Sequence, residues 1–263
     1  RSYDIEMGVR SSIALRITFK AMRSAGLNNQ NLENMRELNY IDETIERDEN
    51  PALRIGSVGR SALSTVYLMD CIEGMKQFPD KIFDLAVVDP PYGIGAGKGV
   101  GVTRGKENQY TVKDWDSSIP LQAYWDELWR VSKNQIVWGG NYMTDFLKPS
   151  RGWIYWRKMM GGNYADGELA WTSFDRNLKE FTKRSDQGNR FHPTQKPVKL
   201  YEWIFANYAE EGNLILDTHL GSQSSRIAAN KAGLDFVGFE IDREYYNNGN
   251  KRFKNFVSQT VLF

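Results

Sequence analysis

The stretch Phe83-Asp84-Leu85-Ala86-Val87-Val88-Asp89-Pro90-Pro91-Tyr92 decides the fold. Its first six residues form a short apolar run that is typical of a buried strand. The two prolines that follow fix φ, and each restricts the residue before it to an extended conformation. In open α/β sheets, ligands bind in the crevice beyond the carboxyl ends of the strands. The sequence therefore predicts a stiff turn at a sheet edge, with an acid and an aromatic ring facing a ligand.

The side chains of this turn suit an exocyclic amino group on an aromatic base. The Asp89 carboxylate and the Pro90 carbonyl can accept hydrogen bonds from such an amine, and the Tyr92 ring can stack on the base. A proline-rich turn with an ordinary loop acid would give the same four residues. The chemical interpretation therefore depends on a second motif elsewhere in the chain.

A βαβ unit near the carboxyl end of the chain supplies that motif. Residues 213–216 form an apolar strand closed by Asp217, Gly221 and Ser222 open a helix, and a second strand ends at Glu240. An acid roughly 20 residues after a tight glycine turn is the spacing that holds an adenosine ribose in dinucleotide-binding folds. This unit has no Gly-x-Gly-x-x-Gly, which is the fingerprint of a nicotinamide dehydrogenase, so the sequence does not support that class of enzyme.

Three segments together resemble the motifs of DNA amino-methyltransferases, which act on adenine N6 or cytosine N4. They are Asp89-Pro90-Pro91-Tyr92, Asp217-Thr218-His219-Leu220-Gly221-Ser222 and His192-Pro193-Thr194-Gln195-Lys196-Pro197-Val198. The resemblance covers residues 65–253, and the catalytic turn precedes the cofactor turn, as in the permuted beta class of these enzymes. It implies an α/β, Rossmann-like methyltransferase fold with a mostly parallel central sheet and helices on both faces.

The resemblance also implies how the catalytic turn acts. Its residues Asp89, Pro90, Pro91 and Tyr92 would receive a target base that has left the DNA duplex. Tyr92 would stack on the base, while the Asp89 carboxylate and the Pro90 carbonyl would accept from its amino group. The amine lone pair would then face the methyl group of S-adenosylmethionine, and transfer would need no covalent enzyme intermediate.

The cofactor site that the resemblance implies surrounds the second turn. Glu240 would accept both ribose hydroxyls, and Asp70, one strand before the catalytic turn, would contact the adenine of the cofactor. Thr194 and Lys196 would hold the cofactor carboxylate beside the start of a helix. The other residues assigned to cofactor binding are Asp217, His219, Gly221, Ser222, Gln223, Ser224 and Asp242.

Two residues depart from the family pattern, and they keep alternatives open. His219 stands where an aromatic residue, usually Phe, is expected, and Gln223 stands where a second glycine is common and could crowd the cofactor. A catalytically inert DNA-binding homologue is therefore one alternative. Adenine N6 is the preferred target because Asp at the first position of the tetrapeptide is commonest in the adenine enzymes, and cytosine N4 is the other alternative.

Charge and periodicity divide the chain into regions with different expected roles. Residues 1–62 predict a helical N-terminal extension, and residues 63–263 predict the methyltransferase domain. Residues 159–190 have no strong period and predict an irregular segment, and residues 157–190 are the candidate target-recognition segment for double-stranded DNA. Residues 151–200 carry ten Lys/Arg and five Asp/Glu, while the whole chain has a net charge of +1. Gly93 to Gly101 predicts a mobile flap beside the site.

Composition limits the class of protein further. The chain of 263 residues is long enough for one full α/β core, and no apolar run approaches membrane-spanning length. One cysteine, Cys71, permits no internal disulfide and fits a reducing cytoplasm, that of a bacterial or phage-infected cell. One Cys and two His do not supply the ligands of a usual zinc site. A homodimer is an expected assembly because dimers are common among such enzymes.

Overall fold

The computed structural model describes residues 64–96, 114–159, 165–184 and 191–260. The extension predicted for residues 1–62, and all of the predicted flap after Ala96, lie outside the described residues. In the described part an eight-stranded sheet has the order β1-β8-β7-β2-β3-β5-β4-β6. The strands are β1 (Ser64–Leu68), β2 (Phe83–Val88), β3 (Ser132–Trp138), β4 (Trp153–Arg157), β5 (Gly167–Thr172), β6 (Lys179–Thr182), β7 (Leu214–Asp217) and β8 (Asp235–Glu240).

Five of the seven strand pairings are parallel, and β5 alone runs antiparallel to its two neighbours, β3 and β4. Five α-helices accompany the sheet in the described residues. They are α1 (Cys71–Met75), α2 (Gln122–Val131), α3 (Val198–Tyr208), α4 (Ser224–Lys231) and α5 (Arg243–Thr260). The predicted Rossmann-like fold, with a mostly parallel sheet, is confirmed.

Two apolar clusters cover the two faces of the sheet, as the strand pattern requires. Along β2, Ala86 and Val88 pack with residues of α1 and α2, whereas Leu85 and Val87 pack with residues of α3 and α4. Successive side chains of a strand point to opposite faces, so a strand covered on both sides is apolar throughout. The helices therefore lie on both faces, and they leave the carboxyl ends of the strands free to form a site.

The region 159–190 differs from its expected irregular conformation, because it contains β5 and β6. The sequence of β6, Lys179-Glu180-Phe181-Thr182, is largely exposed at the edge of the sheet, and only Phe181 is half-buried. An edge strand needs few apolar residues, so its period is weak. The sequence patterns described above do not predict α5. None of the helices within the described ranges combines the length and the apolarity that crossing a bilayer requires.

Candidate active site at the carboxyl edge of the sheet

Four neighbouring parallel strands each lead into an acid at the same edge of the sheet. In the order β1-β8-β7-β2, the acids are Asp70, Glu240, Asp217 and Asp89. The pairing of β7 with β2 places the two predicted turns side by side, although 127 residues separate Asp89 from Asp217. The structure thus brings the expected catalytic and cofactor turns together.

Asp89 and Tyr92 are joined directly within the catalytic turn. The Tyr92 hydroxyl donates to Asp89 Oδ1 over 2.6 Å, and Lys196 Nζ donates to Asp89 Oδ2 over 2.5 Å and lies 3.2 Å from the Tyr92 hydroxyl. A carboxylate has about four lone-pair positions, so Asp89 keeps acceptor capacity for a further donor. Lys196 was expected at the cofactor carboxylate, and its contacts here are with the catalytic turn.

Lys196 is held in a buried, charged pocket beneath this turn. Its side chain is 3% exposed, its ammonium lies 3.1 Å from Glu168 Oε2, and the ring of Trp138 lies 5.2 Å away. Burial alone would lower the pKa of Lys196, but the charges of Asp89 and Glu168 outweigh burial and raise it above its usual value. Lys196 therefore stays protonated at neutral pH.

Asp116 fixes the backbone that follows the catalytic turn. Its Oδ1 accepts from the backbone N–H groups of Tyr92 and Gly93 over 2.6 and 2.9 Å, and its Oδ2 accepts from that of Ala96 over 2.7 Å. The carboxylate is buried, with the residue 2% exposed. A buried carboxylate is tolerated when such donors satisfy it, and here it locks the direction in which the Tyr92 ring leaves the backbone.

The Tyr92 ring also has a shaped seat at the end of β3. Gly139 has φ +67°, and a Cβ added there would lie 2.2 Å from Tyr92 Cε1. The ring of Tyr142 stacks on that of Tyr92 with centroids 5.3 Å apart and an interplanar angle of 17°. Only glycine provides both the left-handed backbone and the space at position 139.

The turn after β7 is organised around Glu240. Glu240 Oε2 accepts from the Gly221 backbone N–H and Oε1 from that of Asp242, both over 2.8 Å. Burial raises the pKa of Glu240, and these hydrogen bonds oppose the shift. Gly221 has φ +46°, a conformation that suits glycine, and a Cβ added at this position would point at the His192 ring. The Glu240 carboxylate is thus oriented at the glycine turn, where the sequence predicted it.

Asp217 is buried in the same turn and is close to other acids. Its Oδ2 accepts from the Ser225 hydroxyl over 2.5 Å and its Oδ1 from the His219 backbone N–H over 3.0 Å. Burial raises the pKa of Asp217 from 3.8 to about 7, and the negative charges of Asp89 and Glu240 contribute to this rise. The carboxyl group of Asp217 is therefore partly protonated near neutral pH.

Asp217→Asn should reduce the loss of stability that the protein suffers between about pH 4 and pH 7. The folded-state pKa of Asp217, about 7, lies above the ordinary value of 3.8, so the folded state binds more protons in this window and its stability falls as the pH rises. The neutral amide can accept from the His219 backbone with its oxygen and can donate to the Ser225 hydroxyl with its NH2 group. A three-unit shift corresponds to roughly 4 kcal/mol as an upper bound.

Urea unfolding at pH 4.5 and pH 8 measures this effect. We expect the free energy of unfolding to fall by roughly 2–4 kcal/mol less in Asp217→Asn than in the wild type between these two values. Comparison of the two proteins cancels the contributions of other titrating groups. An equal fall in both proteins would show that Asp217 ionises without cost in the folded state.

His219 lies in a buried polar row beside the same turn. Its Nδ1 lies 2.9 Å from the Thr218 hydroxyl, which in turn lies 2.8 Å from the Tyr124 hydroxyl. Burial lowers the pKa of His219 to about 4, so the ring is neutral at pH 7. Its ring centroid lies 5.5 Å from that of Tyr124. At position 219, where the family pattern has an aromatic residue, the structure thus has a neutral, buried ring.

Gln223 does not occupy the glycine turn with its side chain. It has φ +57°, the left-handed conformation in which glycine is common, and precedes α4. Its side chain packs on α5, where an added Cβ at Gly249 would lie 2.5 Å from its Nε2, and its Oε1 accepts from Arg226 over 2.9 Å. The Gln223 side chain thus turns toward α5 and away from the glycine turn that it was expected to crowd.

The remaining predicted residues lie around the same edge, several in structural contacts. Asp70 caps α1 by accepting from the backbone of Ile72 and Glu73, and Asp242 accepts from the first turn of α5. Further contacts link Thr194 Oγ1 to His192 Nδ1 over 3.2 Å and the Ser222 and Ser224 hydroxyls over 3.1 Å. These contacts are compatible with ligand binding, since an acid can cap a helix and contact a ligand with its other oxygen.

Comparisons with known proteins show similarity to DNA methylases. A DNA methylase family model, N6_N4_Mtase, matches residues 156–251. The candidate methylase YubD of Escherichia coli (strain K12) is 24% identical over 207 residues, which cover 70% of this chain and 87% of YubD. Type II methyltransferase M2.DpnII of Streptococcus pneumoniae is 37% identical over 71 residues, which cover 27% of this chain and 26% of that protein.

The fold also has a solved counterpart. The crystal structure of the M1.HpyAVI–SAM complex superposes with a TM-score of 0.51 and 20% sequence identity, and the match covers 72% of this chain and 98% of that one. The described residues therefore have the Rossmann-like methyltransferase fold, and the chain matches the DNA methylase family over residues 156–251.

Proposed function

We propose that the protein is an S-adenosylmethionine-dependent DNA methyltransferase that modifies the N6 amino group of adenine in double-stranded DNA. The observation that carries this proposal is the joined pair of Asp89 and Tyr92, which lies beside the glycine turn after β7. The match of residues 156–251 to the DNA methylase family model supports the reaction class. The fold shared with the SAM complex of M1.HpyAVI supports the choice of cofactor.

The residues at the turn after β7 fit such a cofactor. Both Glu240 oxygens accept from backbone N–H groups, which fixes the plane of the carboxylate and leaves lone pairs for two ribose hydroxyls. Neutral His219 offers an aromatic ring, and Asp70 keeps one carboxylate oxygen beyond its helix cap. Thr194 remains the candidate for the cofactor carboxylate. When bound, the cofactor supplies a methyl group on a positively charged sulfur.

The chain's own contribution to transfer is orientation of the target amine. Tyr92 stacks on the flipped base, and Asp89 and the Pro90 carbonyl accept from its N–H groups, so the lone pair faces away from them. The amine becomes acidic only after the methyl group arrives, so Asp89 needs to orient the amine and not to act as a strong base. Alignment of this kind can supply on the order of 7 kcal/mol or more of the barrier.

The segment of residues 157–190 is the proposed contact to DNA. Among its described residues, Lys179 and Arg184 are exposed at or beside the edge strand β6, and Arg157 is exposed at the end of β4. Lys and Arg in such positions bind phosphates and make affinity depend on salt concentration. Action on DNA in the cytoplasm, and a homodimer as the assembly, are part of the same proposal.

Two other functions remain to be distinguished by experiment. Cytosine N4 presents the same kind of amino group to Asp89, so a cytosine-specific enzyme is the first alternative. A catalytically inert DNA-binding homologue is the second, and the position of Gln223 speaks against it because the side chain turns away from the glycine turn onto α5.

Expression in a methylation-free host, followed by sequencing of its modified DNA, tests the proposal most directly. We expect N6-methyladenine within one sequence context. N4-methylcytosine in the host DNA would identify the first alternative. Unmodified DNA, with no heat on titration of the purified protein with S-adenosylmethionine, would identify the inert homologue.

A further inference from the structure

We propose that Glu168 is a positioning residue for methyl transfer: its carboxylate holds the Lys196 ammonium between Asp89 and the Tyr92 hydroxyl, and thereby orients Asp89 toward the target amine. The proposal rests on the methyltransferase function proposed above. No motif points to Glu168, which lies in β5, in a region predicted to be irregular.

A linear chain of charges carries this inference. Lys158 donates to Glu168 Oε1, Glu168 Oε2 lies 3.1 Å from Lys196 Nζ, and Lys196 Nζ donates to Asp89 Oδ2 over 2.5 Å. Two acids and two lysines alternate, so the chain is neutral overall. Glu168 lies in β5, Lys158 and Asp89 directly follow β4 and β2, and Lys196 lies before α3. The members therefore depend on the folded sheet for their spacing.

Burial makes the charge of Glu168 consequential. The Lys196 side chain is 3% exposed and that of Glu168 is 22% exposed, so neither group can exchange its partner for bulk water at little cost. The ammonium of Lys196 also lies 5.6 Å from the centroid of the Tyr92 ring and 5.2 Å from that of Trp138. These two rings and two carboxylates leave Lys196 little freedom to move away from Asp89.

The consequence for catalysis concerns Asp89 and not the cofactor turn. Asp89 accepts from Tyr92 at one oxygen and from Lys196 at the other, so these two donors fix the carboxylate plane. The lone pairs that remain for the target amine then have a set direction. Without the Glu168 charge, Lys196 has one carboxylate partner left, and its proton is held less firmly.

Several other titratable groups lie near Lys196 and can contribute to a pH profile. Lys196 faces Asp89, Tyr92 and Glu168. Besides burial, the charges of Asp89 and Glu168 also raise the pKa of Tyr201 in α3. Burial raises the pKa of Tyr92 and of Tyr201 well above 10, so both tyrosines stay neutral in the wild type at pH 9 to 10. A direct measurement on the lysine is needed to separate its titration from theirs.

The test uses Glu168→Gln, which removes the charge and keeps the shape. We expect a methyl-transfer rate close to that of the wild type at pH 7 and a roughly tenfold lower rate at pH 9.5, because Lys196 then loses its proton at a lower pH. Glu168→Asp keeps the charge and should largely restore the rate at pH 9.5. Glu202→Gln is the matched control, since Glu202 also lies between two lysines, Lys199 and Lys231, but away from this site.

A second readout does not depend on activity. NMR titration of the free protein with carbon-labelled lysine, assigned with Lys196→Arg, should show that Lys196 deprotonates at lower pH in Glu168→Gln than in the wild type. An unchanged lysine titration, or a loss of rate that is equal at every pH, would overturn the proposal. If the wild type transfers no methyl group, the proposed function fails, while the lysine titration still decides whether Glu168 holds Lys196.

Discussion

Asp89→Ala should abolish methyl transfer while leaving the binding of S-adenosylmethionine intact. Asp89 accepts from Tyr92 and from Lys196, and it is the only side-chain acid of the catalytic turn that can accept from the target amine. Its removal leaves the amine without its main orienting acceptor, which we expect to lower the single-turnover rate by on the order of 10³-fold or more. The cofactor turn is held by hydrogen bonds to Glu240 and Asp217, and these hydrogen bonds do not involve Asp89.

A tritiated-methyl assay measures the rate, and calorimetry measures cofactor binding. Asp80→Ala is the control, because Asp80 is an exposed acid in an ion pair with Arg130, remote from the carboxyl edge. The unfolding temperature of Asp89→Ala must also be measured, since Lys196 loses one of its two carboxylate partners. Full transfer activity in folded Asp89→Ala would refute the assignment of the catalytic turn.

Tyr92→Ala should lose activity to a similar degree because it removes the stacking surface.

The two motif turns could be predicted from the sequence because local patterns encode them. Each follows an apolar run of four to six residues, which identifies the strand and therefore the edge of the sheet on which the next residue lies. Resemblance then supplied the roles of the residues at these turns. That the turns are adjacent follows from the pairing of β2 with β7, which no local pattern in the sequence specifies.

The residues that support the turns could not be selected in this way. Asp116 contacts a turn that lies more than 20 residues earlier, and Glu168 contacts Lys196, which lies 28 residues later. An isolated acid has no periodicity, and its partners are defined only when distant segments fold together. Burial of a charged residue is the signal that would reveal both, and burial is a property of the folded chain.

Gln223 and Lys196 show a different limit of sequence reasoning. Each stands at a motif position, yet its side chain has contacts that the motif does not specify: Gln223 packs on α5, and Lys196 binds Asp89. A motif fixes where the backbone lies, while rotamers depend on neighbours such as Gly249, which leaves room for the Gln223 amide. The prediction of position was therefore more secure than the prediction of which group each side chain would meet.

Gly139→Ala should lower methyl transfer on the order of 100-fold, although position 139 contains no chemical group. A Cβ there would lie 2.2 Å from Cε1, 2.5 Å from Cδ1 and 2.6 Å from Cζ of Tyr92, so the ring must shift by about 1 Å to reach ordinary contact distance. A misplacement of this size at a reacting centre can cost about 10²-fold in rate. Asp116 and Tyr142 hold the backbone and the ring of Tyr92 from other directions, so the shift also strains these contacts.

Gly233→Ala separates the clash with Tyr92 from backbone strain. Gly233 has φ +70°, close to the +67° of Gly139, and nothing lies within 4 Å of an added Cβ. Both variants should lose about 1 kcal/mol of stability from the left-handed conformation, and Gly139→Ala should lose more because of the contact with Tyr92. Single-turnover rates, unfolding temperatures and cofactor affinity of the two variants should be compared. Equal rates would mean that the Tyr92 ring can move without affecting transfer, whereas a low rate in Gly139→Ala alone, with unchanged cofactor affinity, would identify the position of the Tyr92 ring as a determinant of the reaction.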